Sequence, residues 1–294
     1  MKSKNYPPGF DVQAAWDRHS REWDQATISN DKLFGLVMGQ AKYCHELLRR
    51  SLPEERIAKL RKVEAQHQVM TGVNQRTVRF DVYTEDQRGR AFDVEMQVAN
   101  EGDLPHRMRY YQAMMEYDHL RPREGYRQLA AVPTYVIFYC DFDYYGRGAA
   151  MYRFENYERK LKLTMGDDRS LIVFNAKSRE FGDRKQLKTF LDLMHGHVDT
   201  EDKYIVQVAN EVSRLKADEQ LKEAYVMDNV DLEFKMYEQS EKIRAEEKQK
   251  YGFAIIKELI KQGQSKEKAT NFLIQTMGMS RTEADAYYQE AVTG

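Results

Sequence analysis

Hydrophobic and polar positions alternate with period two through "RFDVYTEDQRGRAFDVEMQV", Arg79 to Val98. Phe80 and Val82 alternate with Asp81 and Tyr83. After a polar turn around Gly89, Phe92, Val94, Met96 and Val98 alternate with Asp93, Glu95 and Gln97. Alternation on both sides of a glycine turn predicts a half-buried antiparallel hairpin. Upstream, Leu33, Leu36, Val37, Tyr43, Leu47 and Leu48 fall on one helical face. A helix is therefore expected to open after Asn30 or Asp31, both good N-cap residues, and to run through "KLFGLVMGQAKYCHELLRRSL" until Pro53 stops it. "IAKLRKVEAQHQVM" then leaves room for a first strand.

Downstream, Pro105 marks a second helix start, with Met108, Tyr111, Met115 and Leu120 as its apolar stripe. "TYVIFYCDF", Thr134 to Phe142, is the near-continuous apolar run of a strand buried on both faces, and Leu171 to Phe174 is another strand. Helix, strands, helix, buried strand, strand predicts an α/β fold, a mixed β-sheet flanked by helices. Strand signals stop near Thr189. Residues 201–250 are rich in charge and helix formers and read as solvated helix faces, giving the fold a helical C-terminal extension. In the tail, "GFAIIKELIKQG" ends at Gly263, Ser265 opens the next helix, and Ser280 with Glu283 makes a capping box. The expected organisation is an N-terminal arm over 1–29, loosened by Pro7, Pro8 and Gly9, a core over 30–200, a charged helical region over 201–250 and a small helical tail over 251–294.

Composition narrows the function classes. Of 294 residues, 41% are hydrophobic and 32% charged, which is a folded and very hydrophilic chain. The formal net charge of -1 excludes whole-molecule attraction to a polyanion, so any such site is a local patch. Cys44 and Cys140 provide no disulfide framework. With no signal-like apolar run and no membrane-length stretch, a cytoplasmic protein without membrane contact is expected. Walker-type, G-x-S-x-G and G-x-G-x-x-G motifs are absent, so no nucleotide cofactor is expected. His195 and His197 lack the partners of a tetrahedral metal site and read as loop histidines.

The polar face of the hairpin carries the chemistry. A turn near Arg88-Gly89 sets Asp81 almost opposite Glu95, with Gln97 two residues along the same face. At ~5 Å two like charges repel by roughly 1 kcal/mol in water and roughly 3 kcal/mol at an effective dielectric of about 20. A wet face tolerates that; a covered one needs a compensating cation. Beyond the hairpin, "HRMRYYQ" and "RPREGYR" interleave Arg107, Arg109, Arg121, Arg123 and Arg127 with Tyr110, Tyr111, Tyr117 and Tyr126. That mixture suits phosphate contact and base stacking. Lys177, at a strand end, is a weaker candidate for a phosphate or water contact.

Taken in order, "NDKLF" (Asn30 to Phe34), "RFDVYTED", "DVEMQ", "HRMRYYQ", "GYRQL" and "TYVIFYCDFDYYGRG" resemble the recombination-promoting nuclease/putative transposase family, a bacterial branch of the PD-(D/E)XK nucleases. The resemblance spans residues 27 to 200 and extends more loosely to 250. It implies a restriction-endonuclease-like core in which Asp81 and Glu95 bind Mg2+, with Mn2+ as second choice, and the Met96 main-chain carbonyl is the third protein ligand. Gln97 stands where most of the superfamily has lysine; it orients a water by hydrogen bonding but cannot serve as a titrating base. Such nucleases often draw a further acid from the helix before the sheet, and Glu46 in "CHELLRR" is the candidate. Asp93 shares the polar face but lies nearer the turn and ranks lower. Arg107 matches the family's motif, and Arg109, Tyr111 and Lys177 complete the expected DNA contacts. The implied function is a Mg2+-dependent DNA endonuclease hydrolysing phosphodiester bonds, tied to recombination, mobile elements or phage defence, with a homodimer suited to cutting both strands. The alternative is a catalytically weak or inactive nuclease fold that binds DNA or a protein. A purely structural helical assembly protein has only residues 201–250 in its favour.

Overall fold

Six strands pair in the order β1-β2-β3-β4-β8-β5 in the computed structural model, which describes residues 6, 7, 9–69, 77–120, 123, 125–182 and 184–293. They are β1 (Leu60–Val69), β2 (Val78–Asp86), β3 (Ala91–Gln97), β4 (Thr134–Cys140), β5 (Met151–Phe154) and β8 (Arg169–Asn175). A separate two-stranded ribbon joins β6 (Tyr157–Glu158) to β7 (Leu163–Thr164). β1, β2 and β3 form an antiparallel meander, β3-β4-β8 are parallel, and β5 closes the edge antiparallel to β8. The parallel step from β3 to β4 needs a crossover, and α4 (Leu104–His119) supplies it. Every residue of β4 is buried, as its unbroken apolar run requires.

Two apolar layers hold the sheet. On one face Val94, Met96, Ile137, Tyr139 and Phe174 pack with Trp23 of α1 (Val12–Gln25), Leu33, Phe34 and Val37 of α2 (Asp31–Met38), and Leu47 and Leu48 of α3 (Ala41–Ser51). Phe190 of α5 (Lys185–Met194) and Ile205 and Val208 of α6 (Lys203–Lys216) complete that layer. On the other face Phe80, Val136, Phe138 and Val173 meet Met108 and Met115 of α4.

The single helix expected from Asn30 to Pro53 is two. Asn30 caps α2 as expected, its side chain accepting from the Leu33 amide at 3.2 Å. The helix then stops at Gly39, where a side chain would stand 3.0 Å from Ala65 Cβ of β1, and Gln40 turns extended. Close packing on the sheet forces the break. α6 also departs from a solvated face, because Tyr204, Ile205, Val208, Val212 and Leu215 are buried. The segment before Asn30 contains α1, and Trp23 is fully buried in the core.

The described residues fall into two compact units, one of which is Arg21–Tyr225 with the sheet. The other gathers the described residues up to Ser20 and those from Val226 onward. In it Tyr6 and Phe10 pack their rings on Phe234, and the last turns of α7 (Glu219–Lys261) form a small core with α8 (Lys266–Met277) and α9 (Arg281–Thr293). The Ser265 cap and the reciprocal Ser280–Glu283 capping box are both present. Among the described residues no helix is long and apolar enough to cross a membrane.

Candidate active site

The β2-β3 ladder runs from Glu85↔Ala91 to Val82↔Val94 and ends there, although both strands continue. One more step of the same register would pair Asp81 with Glu95, so the opposition read from the turn is correct. What replaces the ladder is side chain to main chain. The Asp81 amide donates to Glu95 Oε1 at 2.6 Å, and the Met96 amide donates to Asp81 Oδ2 at 3.1 Å. Each carboxylate thus occupies the place of a ladder carbonyl, in a fork between the strands. In an extended strand the N–H and C=O of one residue point the same way, so the Met96 carbonyl also faces β2.

The fork shifts the alternation of β2. Phe80 and Val82, expected on one face, fall on opposite ones: Phe80 lies against α4 and Val82 in the other layer. On β1 the register is the same at Ala65↔Val82 and His67↔Phe80, but the pair between them is missing, and the intervening Gln66 takes the left-handed φ of 55°. A residue other than glycine in that region is uncommon and marks a local irregularity.

Charge is concentrated here without much solvent. Glu95 and Asp93 are fully buried and Asp81 is largely so. Burial, reinforced by the charge of Asp81, pushes the Glu95 carboxyl up to about 8. Burial also raises Asp81, to about 6, with the Met96 amide opposing the rise and the charge of Asp31 adding to it. Asp93 is driven well above the ordinary range by burial and then by Glu95, and neither of its oxygens meets a partner at hydrogen-bond geometry. The ion pair that Glu95 makes is with Arg107 of α4, whose Nη2 stands 3.2 Å from Glu95 Oε2.

Arg107 ties the expected residues together. Its Nη1 donates to Gln97 Oε1, and its Nε donates to the Tyr111 hydroxyl at 3.2 Å. Gln97 Nε2 donates to the Ala99 carbonyl at 2.7 Å, so both ends of that amide are engaged. Asp81, Glu95, Met96, Gln97, Arg107 and Tyr111 therefore form one group. Arg109 does not join it. It is exposed on another side of α4, lining a groove with His106, Phe154 and Arg169. Arg121 lies outside the described residues.

Two candidates sit elsewhere. Glu46 is paired with Arg49 and Arg50 on α3, which packs on the face of the sheet away from α4. The acid that acts on Asp81 from a helix before the sheet is Asp31, in the first turn of α2. α2 passes close to β2: a side chain at Gly35 would stand 3.7 Å from the Asp81 carbonyl oxygen. Asp31 has no pattern to distinguish it from an ordinary helix-start acid; only the packing of α2 reveals it. Lys177 is bound to Asp141 at 2.7 Å, and Asp141 also bonds His195, which lies just past the end of α5. Against partial burial, Lys177 and His195 hold the Asp141 carboxyl below its ordinary range. The trio is tethered at the strand ends beside the fork, since the Asp141 amide donates to the Gln97 carbonyl at 3.0 Å.

Among the described residues no set of three or more His, Cys, Asp or Glu side chains forms a ready-made cage for a metal. Mg2+ needs less, since one or two carboxylates with waters and substrate phosphate oxygens suffice. The fork presents hard oxygen donors only, and its composition fits that ion.

No curated protein and no solved structure matches the chain. The family profile described as PD-(D/E)XK nuclease family transposase matches residues 32–254, which takes in the whole sheet, the fork and α4. The mixed sheet with its flanking helices agrees with that fold, and the chain belongs to the PD-(D/E)XK nuclease family transposases.

Proposed function

We propose that this chain is a DNA endonuclease that hydrolyses phosphodiester bonds with Mg2+ or Mn2+ held by Asp81, Glu95 and the Met96 carbonyl. The observation that carries the reading is the fork: two buried carboxylates on adjacent strands, each bonded to the other strand's main chain and each pushed toward protonation. A divalent ion held there supplies an acidified water and neutralises charge on the phosphate. Asp31 adds negative charge near Asp81 and so favours a cation there. Arg107 offsets the charge of Glu95 and turns toward a phosphate oxygen when that charge is otherwise met. Gln97 orients the guanidinium, and Tyr111 fixes it from the far side. Recombination or mobile-element chemistry follows from DNA breaks of this kind, and a second copy of the chain would provide the second cut.

One observation favours the weaker reading, a nuclease fold that binds without cutting. The Gln97 amide, in the superfamily's lysine position, is committed at both ends and contributes no charge. Plasmid nicking and linearisation by the purified protein with Mg2+, Mn2+ or EDTA, beside Glu95→Ala, separates the two. Metal-dependent cutting that disappears in the variant is expected. Cutting that survives the substitution places the centre elsewhere, and no cutting with either ion leaves the binding module.

A further inference from the structure

We infer that a cavity beside the fork receives an unpaired nucleobase next to the phosphate being cut, an inference that rests on the DNA-cutting reading. The cavity holds 600 Å3 and is walled by Glu101, Asp103, His106, Arg107, Tyr110 and Tyr111. That volume is in the range of pockets that take small organic ligands. Arg107 is the wall shared with the fork, since the same guanidinium that lines the cavity reaches Glu95 and Gln97. Whatever fills the cavity is therefore the immediate neighbour of the group bonded to the carboxylates.

The lining selects the occupant. Tyr110 and His106 are exposed on the wall, while the Tyr111 ring is covered by the Arg107 guanidinium, and base-on-aromatic stacking tolerates any base. Glu101 and Asp103 repel a backbone phosphate, while ionised carboxylates accept hydrogen bonds from exocyclic amino groups such as cytosine N4. Asp103 is free for that role: it stands at the N-cap of α4 but its side chain makes no capping bond there, the main-chain carbonyl receiving His106 and Arg107 instead. The cavity suits an amino-bearing base, and taking it from a duplex costs unpairing, so single-stranded or frayed DNA is the preferred substrate.

The test is sequencing of the ends cut from random single-stranded and duplex pools. Wild type should favour an amino-bearing base over thymine at one fixed position beside the cut, by on the order of tenfold. Tyr110→Ala should reduce that preference to near uniform, and Asp103→Asn, which adds donors, should move it toward a different base. Cutting without base preference, or a preference unchanged in both variants, overturns the inference while the nuclease reading stands. If wild type cuts nothing, the nuclease reading fails and the cavity is tested by binding of dC and dT homopolymers in Ca2+. Discrimination that Tyr110→Ala abolishes supports the cavity; equal binding of both polymers, or none, overturns it.

Discussion

Replacing Glu95 by glutamine should make the metal-free protein more stable, not less. Glutamine keeps an oxygen for the Asp81 amide and nearly the same volume, so the fork survives. What it removes is an ionisation that the fold resists. Glu95 titrates at about 8 when folded against an ordinary 4.5, with burial as the main cause. A raised carboxyl penalises the fold as pH climbs: the loss begins above 4.5, grows through neutrality and is complete above about 8. At pH 7 the folded group is still largely protonated while the unfolded one is not, and at 1.36 kcal/mol per pH unit the cost is about 3 kcal/mol; at pH 5 it is under about 1 kcal/mol. Urea unfolding in EDTA from pH 5 to 8.5 measures this. The expected gain of Glu95→Gln is small at pH 5, about 3 kcal/mol at pH 7, and larger by pH 8. Adding Mg2+ to ten times its Kd should stabilise wild type by about 1.4 kcal/mol and the variant by much less. A gain independent of pH, or a loss near neutrality, would refute the account of a charge-starved fork.

Other parts of the molecule give separate tests. Arg107→Ala removes the ion-pair partner of Glu95; because that carboxyl then stays protonated, the loss should be under about 1 kcal/mol at pH 8 in EDTA and grow as pH rises further, read in the same unfolding assay. Arg50→Ala removes the two bonds to Asp202 at 2.5 and 3.0 Å, but Asp202 keeps Thr189 and the first amides of α6; a loss of about 1–3 kcal/mol is expected, seen in denaturant midpoints and unaffected by Mg2+. Gly252→Ala would set a methyl 2.7 Å from the Tyr287 ring, and should loosen the C-terminal helices by about 1–3 kcal/mol. Hydrogen exchange should locate that loss in α8 and α9 and not in the sheet.

The hairpin, its register, the buried β4 strand and the helix caps could be read from residue order because each is a local rule: period two, a glycine turn, an apolar run, a polar cap. The errors lie where tertiary contact overrides such a rule. Alternation continues unbroken on paper through Phe80, Asp81 and Val82, yet the carboxylates take over the ladder at Asp81 and Phe80 changes face. Leu33 to Leu48 fit one helix until Gly39 meets Ala65. Glu46 and Asp31 are equally acidic helix residues; two arginines beside the first and the approach of α2 to β2 decide between them. The polar segment holding β5 to β7 carries no apolar period to announce it. At α6 the buried stripe is present, but the surrounding charge masks it.

The fork divides each acid in two. One oxygen of Asp81 and one of Glu95 are bound into the backbone, and the second Glu95 oxygen, Oε2, meets the Arg107 guanidinium. Folding alone therefore holds a hydrogen-bond acceptor at each position without requiring that it be an acid. A descendant with no use for the charge would exchange Glu95 for its amide and gain stability, while the fork kept its shape.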